Sequence, residues 1–599
     1  ADQLPRRMEV MIDGRSAYQP TVSAVEWSSL GIAIDDIERI EVVRGPNTAS
    51  FGNNAVRGSI NIVTRQPYFL RGPYARLTLG SNDTRNGVVR YGGQLAGADA
   101  SLTLQYRQDE GFDDVDDHKR ITDARFRAAY QANPRDAFDL QAGFSDGEVG
   151  GWGEATDPFN PPRDRVLDSG YLALAWQRTV SPDERFKLTA SVNSTSHSDL
   201  FQAPSAFNPG ATFTFGNYDA DTTRFNVEFE HHFEAADDLR AVWGAGSRYD
   251  RLSTEIAIGE NDPASEWSWW LFGNAEWRPT SELLVNAGVT KEFREVANNY
   301  VSPRLGVNWL FGPNRMLRAS ASRSHYVGTL YQQYASYYLV DTQGDPDPPL
   351  PFLISTGPGL EAEEMTAYEL GYVHAWPSHG AELDVKVFRE ALRKEAFQER
   401  VTNPPLDLPI VWSDDGGNWT TKGAELALRL RSLSGTALDL GYAYLKVDGR
   451  SPTEVDANYQ PIDFEDYDDT VPRHTFSAQL SGRLAPDITG TLGLYHVDDM
   501  RWRGEGDVVD AFTRVDVKLG KTWRLGERRM STEVIVAQPH HDLLPVAHTM
   551  IEKRIRHLPI VRSGKVVGII SIGDVLKAQR DQYQGEVETL TIQILAEDE

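Results

Sequence analysis

The sequence predicts a mainly β protein whose largest part is an antiparallel transmembrane β-barrel. Three observations support this prediction. From Tyr74 to about Trp523, segments of roughly ten residues alternate apolar and polar side chains. Short turns alternate with long polar loops along the same stretch. The chain also holds 14 Trp, 23 Tyr and 24 Phe, a supply of aromatic residues that suits the interfacial girdles of a barrel.

The composition excludes several classes of function. The chain has no cysteine, which rules out disulfide frameworks, iron–sulfur ligation and thiolate zinc sites. Acidic residues outnumber basic ones by 87 to 60, and the resulting net charge of −27 argues against a nucleic-acid partner, which would need a basic face. No apolar run reaches the ~18 residues of a membrane-spanning helix.

A compact glycine-rich unit precedes the barrel pattern and occupies residues 1–70. Within Ile34–Pro67, a short apolar run ends at Gly45 and Pro46, and a strand-like segment follows at Ser59–Thr64. Polar side chains are interspersed throughout this stretch. If this unit is enclosed, these side chains need hydrogen-bond partners on the polar walls that surround it.

The strand segments carry charges on the face opposite their apolar residues. The alternation is clearest in three segments, Ser101–Arg107, Ala424–Arg431 and Arg514–Leu519. A charged inner face needs a water-filled or plugged lumen, since a small barrel filled with side chains could not hold it.

The connections differ in length at the two ends of the predicted barrel. Short turns are predicted at Asn133–Asp136, Ser181–Glu184, Pro279–Ser281, Gly312–Asn314, Pro377–Gly380 and Ala485–Asp487. Long loops are predicted near 147–166, 197–219, 326–360, 398–417 and 448–471. Short turns on one side and long loops on the other are typical of outer-membrane barrels.

Taken in order, these motifs resemble a TonB-dependent outer-membrane receptor. Residues 1–70 resemble the second half of that family's plug domain through Ile12–Arg15, Asp36–Val42, Arg44–Pro46, Phe51–Gly52 and Gly58–Thr64. The barrel resembles the family through Ser302–Gly306, Leu360–Glu361 with Tyr368–Tyr372, and Lys422–Glu425. About 20 of the usual 22 strands can be placed. The barrel is therefore expected over 71–528, without its last strands and around a partial plug.

The resemblance implies a receptor in the cell outer membrane for a scarce chelated nutrient, most often a ferric siderophore. Outer loops would capture the ligand, and an inner-membrane TonB–ExbB–ExbD complex would pull on the plug. The TonB-contacting segment is not evident, so the N-terminus is expected to be truncated. No enzyme activity and no required cofactor are expected. The plug motif residues to which the resemblance gives a role are Arg44, Gly45, Pro46, Gly52, Gly58 and Asn61.

The pattern changes after about residue 528. A strand-like segment at Met530–Val536, a helical stretch at Leu543–Arg554 and the segment Arg556–Val575 follow within a predicted domain at 529–599. Their β-α-β-β-α order resembles a single cystathionine-β-synthase (CBS) domain. In that family the matching Ser and Asp, here Ser571 and Asp574, meet the phosphate or ribose of an adenine nucleotide. Two such motifs usually form the binding pair, and one is present here, so a structural unit without a ligand is the alternative.

One long loop carries the candidate ligand-binding residues. The stretch Tyr326–Leu360 contains several aromatic residues, of which Tyr331, Tyr334, Tyr337 and Tyr338 could stack on an aromatic or macrocyclic ligand. The alternative is an aromatic girdle with a solvated loop above it.

Two other functional interpretations stay open. The chain could be a regulatory protein whose CBS segment senses adenine nucleotide, but this interpretation leaves the barrel pattern unexplained. A porin is the third interpretation, and the plug stretch argues against it. A CBS domain normally works in the cytoplasm, whereas the end of a barrel faces the periplasm, so a chimeric gene or a sequence-assembly product of the two parts is also considered.

Overall fold

The structure is a computed structural model in which a small N-terminal sheet lies inside a large closed barrel. It describes residues 7–571 except for 22–24, 53, 81, 112–116, 153–162, 205–211, 217–218, 255–262, 340–349, 356–359, 402–409, 456–460, 503–507, 526–527, 538–556 and 563–564.

The glycine-rich N-terminal unit, residues 7–70, is termed the plug. Its strands are β1 (Met8–Ile12), β2 (Arg15–Ser16), β3 (Ile37–Arg44) and β4 (Gly58–Thr64). They form one sheet in the order β2-β1-β4-β3, in which β1 and β4 run parallel and the other pairs run antiparallel. Helix α1 (Thr48–Phe51) lies between β3 and β4, and 3-10 turns form at Trp27–Ser29, Ile34–Asp36 and Pro67–Leu70.

The plug is followed in the chain by thirty further strands and one further helix. They begin with β5 (Gly72–Leu79), β6 (Arg85–Leu95), β7 (Ala98–Asp109), β8 (Lys119–Gln131), β9 (Asp136–Trp152), β10 (Arg163–Ser181), β11 (Glu184–Ser198), β12 (Leu200–Pro204), β13 (Thr212–Gly216), β14 (Ala220–Ala236), β15 (Leu239–Ser253), β16 (Ala264–Thr280), β17 (Leu283–Arg294), β18 (Tyr300–Gly312) and β19 (Arg315–Tyr326). They continue with α2 (Leu330–Tyr334), β20 (Ser336–Leu339), β21 (Leu350–Ser355), β22 (Glu363–Trp376), a 3-10 turn (Pro377–His379), β23 (Ala381–Val401), β24 (Ile410–Arg431), β25 (Ala437–Val455), β26 (Pro461–Asp466), β27 (His474–Ala485), β28 (Ile488–Val497), β29 (Met500–Arg501), β30 (Val508–Val509), β31 (Phe512–Leu525), β32 (Arg528–Ala537), β33 (His557–Arg562) and β34 (Lys565–Ser571).

About 21 of these strands cross the barrel wall, each antiparallel to its neighbour in the chain. Strands β20, β21 and β26 extend the wall at the long-loop end, whereas hairpins β12–β13 and β29–β30 form separate small sheets in long connections. All six predicted short turns lie at short connections, at the opposite end. The long connections contain more strand than predicted, because paired strands continue past the apolar band.

The barrel closes through its last strand. Strand β32 pairs with β31 from Leu525↔Arg528 to Asp516↔Ala537 and has β5 as its other neighbour. The sequence predicted that the barrel ends at residue 528 and lacks its last strands. The structure adds β32 to the barrel, where it satisfies the free edges of β31 and β5. Consecutive wall strands alternate in direction, and their number is odd. The first and last of them, β5 and β32, therefore run in the same direction.

The predicted alternation of inward and outward faces is confirmed in β7. Leu102, Leu104 and Tyr106 are 46%, 49% and 41% exposed. Thr103 and Gln105 between them are 5% and 7% exposed. Apolar side chains therefore face outward and polar side chains face the plug, as a barrel in lipid requires.

The largest apolar core joins the plug to the wall near the long-loop end. It combines plug and barrel side chains, namely Val10, Tyr18, Val25, Val56, Tyr326, Met365, Leu392, Trp419, Val447 and Tyr467. The described helices are short. None of them has both the length and the apolar character needed to cross a membrane.

The described part of the C-terminal segment is a hairpin. Strands β33 and β34 pair antiparallel, from His557↔Ser571 to Arg562↔Lys565. Ser571 is therefore the last residue of β34, and Asp574 lies outside the described residues.

Candidate functional site

The contact between the plug and the barrel wall contains several buried ion pairs. The first lies near the long-loop end. The Arg7 Nη2 atom donates to Oε1 of Glu363 and to Oε1 of Glu395, at 2.9 Å each. The Tyr467 hydroxyl donates to Oε2 of Glu395 at 2.9 Å. Both carboxylates are fully shielded from solvent, so one guanidinium compensates two buried negative charges.

A second ion pair involves the predicted motif residue Arg44, which ends β3. Its Nη1 atom lies 2.6 Å from Oε2 of Glu425 on β24. Lys386 on β23 approaches the same oxygen at 3.4 Å and lies 3.8 Å from Oε1 of Glu369. Arg44 of the plug and Lys386 of the wall therefore both interact with the carboxylate of Glu425.

Two further groups of contacts hold the opposite side of the plug. Asp36 is 1% exposed and accepts hydrogen bonds from Arg90 Nη1 at 2.6 Å and Thr103 Oγ1 at 2.7 Å. Thr64, at the end of β4, accepts from Arg125 Nη2 at 2.7 Å and from Arg127 Nη1 at 2.8 Å. The plug thus presents acceptors where the wall presents arginines.

The glycines of the predicted motif allow close approaches that other residues would obstruct. Gly45 has φ +86°, and a Cβ atom there would lie 3.1 Å from Oε1 of Glu369 on the wall. At Gly58 a Cβ atom would lie 2.5 Å from the carbonyl oxygen of Val43 on the paired strand β3. Pro46 is buried directly after Gly45. These two glycines therefore set how closely the plug fits the wall and how closely its own strands pair.

The remaining motif residues act within the plug. Asn61 on β4 donates from Nδ2 to Glu41 Oε2 at 2.9 Å, and its Oδ1 accepts from the Gly14 N–H at 3.2 Å. Asn61 therefore links three segments of the plug. Gly52 ends helix α1 and has no atom within 4 Å of the position where a Cβ would lie.

Two buried titratable side chains of the plug, Glu9 and Arg15, lie away from these ion pairs. Burial raises the pKa of Glu9, whose Oε2 accepts from Asn54 Nδ2 at 3.2 Å and whose carboxyl also interacts with the Ser16 side chain. Burial also lowers the pKa of Arg15, which donates to Asn193 at 2.6 Å and lies 3.7 Å above the Tyr171 ring.

Helix α2 holds two of the predicted ligand-binding tyrosines. Tyr331 and Tyr334 are half-buried and pack against a cluster formed by Ala220, Leu252, Ala264 and Leu330. Burial raises the pKa of Tyr334. Tyr337 and Tyr338 lie on β20. Their role as ligand contacts stays a prediction.

The loop that carries α2 also touches the plug. Thr329 caps the helix by accepting from the Gln332 N–H, and its Oγ1 donates to the carbonyl oxygen of Thr21 at 3.2 Å. Leu330 and Gln332 are 2% exposed. The start of this loop is therefore seated inside the barrel mouth, above the plug.

A large cavity lies beside the plug, toward the short-turn end. Its volume is about 1450 Å³, and it is bounded by the plug and by wall residues on strands from β8 to β22. Its lining includes Asp13, Glu228, Glu230, Trp270, Asn286 and Arg304. The cavity lining therefore combines polar and apolar side chains, and its volume exceeds the ~1,000 Å³ of a large ligand pocket.

Within the described part of the chain, one group of side chains could hold a metal ion. Ligand atoms of His118, Glu148 and Asp164 lie within 4.8 Å of one another. Glu148 and Asp164 alternate with residues that face the lumen, so this group lies on the outer wall, away from the plug.

The sequence did not identify the barrel partners of the plug. Glu363, Glu395 and Lys386 look like ordinary inward-facing charges of alternating strands, and Arg7 lies before the first recognised motif. An unusually charged inner face was the available signal. It does not reveal which charges meet, because the pairs lie hundreds of residues apart.

A sheet seated by ion pairs inside a barrel of about 21 strands defines a plugged outer-membrane barrel. The chain matches the family description "TonB dependent receptor-like, beta-barrel" over residues 41–534 and the TonB-dependent receptor plug domain over 2–59. The chain belongs to the TonB-dependent receptor family, and its place is the outer membrane. A CBS domain matches over 525–581, a range that begins within the last strands of the barrel.

Curated relatives match over part of their length. The ferric enterobactin receptor PirA of Pseudomonas aeruginosa is 21% identical over 448 residues, which cover 61% of this chain and 58% of that protein. The vitamin B12 transporter BtuB of Photobacterium profundum is 34% identical over 92 residues, which cover 15% and 14%. The chain therefore spans less than two thirds of the length of these relatives.

Solved structures share the fold over most of the chain. The siderophore receptor PirA from Acinetobacter baumannii has a TM-score of 0.66 at 14% identity, covering 88% of this chain and 86% of that one. The ferric yersiniabactin uptake receptor FyuA from Yersinia pestis has a TM-score of 0.62 at 16% identity, covering 94% and 87%. At these identities the likeness concerns the fold.

Proposed function

We propose that this protein takes up a ferric siderophore across the outer membrane, driven by the TonB–ExbB–ExbD complex. The long-loop end is then extracellular and the short-turn end periplasmic. The observation that carries the proposal is the plug, which closes the lumen through ion pairs and hydrogen bonds with the wall. The names of the relatives, ferric enterobactin receptor among them, support the ligand class.

The polar contacts suit a plug that must move. When an ion pair such as Arg44–Glu425 separates, water molecules replace each partner. Separation therefore costs less free energy than the same interaction would have without water. An apolar contact of the same area has no such replacement, because water does not bind its exposed surfaces. The larger of the two apolar clusters formed by the described residues lies near the extracellular end, so we expect this region to open last or only under an applied force.

Because the cavity is already present, a smaller part of the contact between plug and wall has to open for a ligand to pass. The cavity's 1450 Å³ already lies between the plug and the periplasmic half of the wall. A ligand bound above the plug would therefore need a passage only through the plug–wall contacts that lie above the cavity.

The test is uptake of iron by cells that contain the full chain. A Gram-negative host without its own siderophore receptors would be supplied with radioactive iron bound to enterobactin, a tricatecholate siderophore. We expect cells with the chain to bind the complex whether or not TonB is present, and to accumulate iron only with TonB. Accumulation that is equal without TonB, or an absence of binding in both strains, would contradict the proposal.

A second proposal concerns the C-terminal segment, where the CBS match covers 525–581. We propose that this segment binds an adenine nucleotide through Ser571 and Asp574. Calorimetry with AMP or ATP on the full chain tests this proposal, with Asp574→Ala as the variant that should lose the heat. An absence of heat at millimolar nucleotide would exclude it.

A further inference from the structure

Three side chains on the outer wall form a group at the long-loop end of the barrel, termed the rim triad. His118 directly precedes β8, Glu148 lies near the end of β9, and Asp164 lies at the start of β10. One possible ligand atom of each residue lies within 4.8 Å of those of the other two. The rim triad therefore joins the bases of two long connections, one before β8 and one before β10.

The strand register brings the rim triad together. Strands β8 and β10 both pair with β9, so that Arg120 and Val166 lie on either side of Glu148. Beyond the end of β8, the Gly150 N–H donates to the His118 carbonyl oxygen at 2.8 Å. This hydrogen bond fixes the backbone of His118 against β9, so the three residues lie on adjacent segments at a similar height.

A β-bulge lies beside Asp164. Arg163 pairs with Trp152 of β9. Two positions further along β10, Arg165 pairs with Val149, so three steps on β9 are opposite two steps on β10. Bulges change the direction of nearby side chains and are frequent next to functional sites. The Asp164 side chain is 45% exposed on the outer side of this bulge.

The arginines on either side of Asp164 do not neutralise it. Arg163 and Arg165 both face the lumen. Arg163 forms an ion pair there with Asp199, and Arg165 lies 3.6 Å from Glu26 of the plug. The outer face of β10 is therefore left with the carboxylate and without these two cations.

Glu148 also lacks a positive partner. Arg120 lies opposite Glu148 in the register, but its Nη2 atom lies 3.5 Å from Oε1 of Glu110. Glu148 is half-buried and, among the residues that the structure describes, forms no hydrogen bond or ion pair through its carboxylate. One outward position closer to the apolar band, Asp146 and Asp168 lie opposite each other. Partial burial of an unpaired carboxylate among others costs free energy, and a bound cation would remove this cost.

The distances within the rim triad suit a small metal ion. In a tetrahedral site with metal–ligand bonds of about 2.1 Å, neighbouring ligand atoms lie about 3.4 Å apart. The Nε2 atom of His118 lies 3.4 Å from Oδ1 of Asp164. The Glu148 side chain is flexible, so a rotation of its carboxylate can complete the third position from within 4.8 Å.

We propose that His118, Glu148 and Asp164 bind a divalent transition-metal ion of the zinc type, which joins the bases of the two connections. An imidazole nitrogen suits zinc, whereas calcium and magnesium prefer oxygen ligands alone. This metal would be structural and is not the transported iron, because the rim triad lies on the outer wall and faces away from the plug. The proposal therefore does not depend on the proposed transport function.

The experiment measures how much zinc the purified full chain holds. Protein without a histidine tag would be freed of metal with a chelator in neutral detergent, dialysed against micromolar Zn²⁺ and analysed by inductively coupled plasma mass spectrometry. We expect the wild type to hold one more Zn²⁺ per chain than His118→Ala. Glu148→Gln and Asp164→Asn should each lose the same ion.

A matched control removes a histidine from a His–Asp pair elsewhere on the wall. The Nε2 atom of His496 lies 3.3 Å from Oδ1 of Asp498, and no third ligand completes this pair among the described residues. His496→Ala should therefore hold as much zinc as the wild type. Heat-modified migration on gels confirms that each variant has a folded barrel.

A second measurement tests whether the ion joins the strand ends. Zn²⁺ should slow hydrogen exchange of the amides at residues 147–150 in the wild type and leave their exchange unchanged in His118→Ala. Equal zinc content in the wild type and all three triad variants would overturn the proposal. Equal loss of zinc in His496→Ala, or full displacement of the ion by millimolar Ca²⁺, would overturn it as well.

Discussion

Arg7 at the start of the described plug donates a hydrogen bond to Glu395, a barrel residue 388 positions later, with 2.9 Å between Nη2 and Oε1. The carboxylate is 0% exposed and also accepts from the Tyr467 hydroxyl. The N-terminal strand of the plug is thereby fixed to the wall immediately below the extracellular loops. In the proposed function, this contact must open before a ligand can pass on this side.

Removing one carboxylate should loosen the plug locally. In Glu395→Gln, Arg7 keeps its bond to Glu363 but loses one buried ionic partner, so we expect the opening of β1 to become easier by about 1–3 kcal/mol. Hydrogen exchange of the β1 amides measures this change. Arg39→Gln is the control, because Arg39 is 41% exposed and pairs with Glu41 of its own strand. Unchanged protection of β1 in Glu395→Gln would show that the pair does not fix the plug.

The barrel could be predicted from local pattern, whereas the plug contacts could not. Alternation in Ser101–Arg107 predicted an outward Leu102 and an inward Thr103, because a strand in lipid has no other way to sort its side chains. The motif residue Arg44 was identified, but its partner Glu425 was not, because many inward charges could have served. Strand β32 was placed outside the barrel, because closure of a sheet depends on both free edges and not on the local sequence.

Alanine at Gly45 should weaken the seat of the plug more than alanine at Gly52. Both positions have positive φ, and such backbone conformations cost a residue with a Cβ about 1–3 kcal/mol. At Gly45 the added atom also meets Glu369 Oε1 at 3.1 Å, whereas at Gly52 it meets nothing within 4 Å. Proteolysis or hydrogen exchange of the plug would rank the two variants. Equal effects of the two variants would mean that backbone conformation alone, and not the contact with Glu369, accounts for the loss of stability.

The buried carboxyl of Glu9 should make the plug less firmly seated as the pH rises. Burial raises its pKa above the ordinary 4.5, so the seated plug holds the proton more tightly than the unfolded chain does. The stabilising effect is complete below the unfolded pKa and is lost as the pH rises toward the folded pKa. Exchange of the β1 amides, corrected for intrinsic rates and followed upward from the ordinary pKa of the carboxyl, should show this decline. Glu9→Gln should remove it, and the same slope in that variant would contradict the assignment to Glu9.

The tyrosines of α2 provide a test of ligand binding. If they stack on a ferric tricatecholate, Tyr331→Ala and Tyr334→Ala should each weaken binding by about 1 kcal/mol, close to fivefold. Ligand-induced fluorescence quenching of the purified chain gives the Kd. Tyr106→Ala is the matched control, because this tyrosine is 41% exposed on the lipid-facing side of β7. Unchanged affinity in both variants would assign the tyrosines to packing of the loop.

A covalent bond between plug and wall tests whether transport requires the plug to move. A Cβ atom at Gly288 would lie 3.5 Å from the Cβ of Ala49, within the range of a disulfide. The chain has no cysteine, so Ala49→Cys with Gly288→Cys can form one intramolecular bond. The Asn274 side chain, whose Nδ2 atom donates to the Ala49 carbonyl oxygen at 3.2 Å, has to turn aside.

We expect the oxidised double variant to bind the siderophore with unchanged affinity and to lose uptake, because binding occurs above the plug and passage requires its displacement. Reduction with dithiothreitol should restore uptake. Each single cysteine variant is a control for the substitutions and should transport under both conditions. Uptake by the fully oxidised double variant would show that this side of the plug stays seated and that the passage opens elsewhere along the wall.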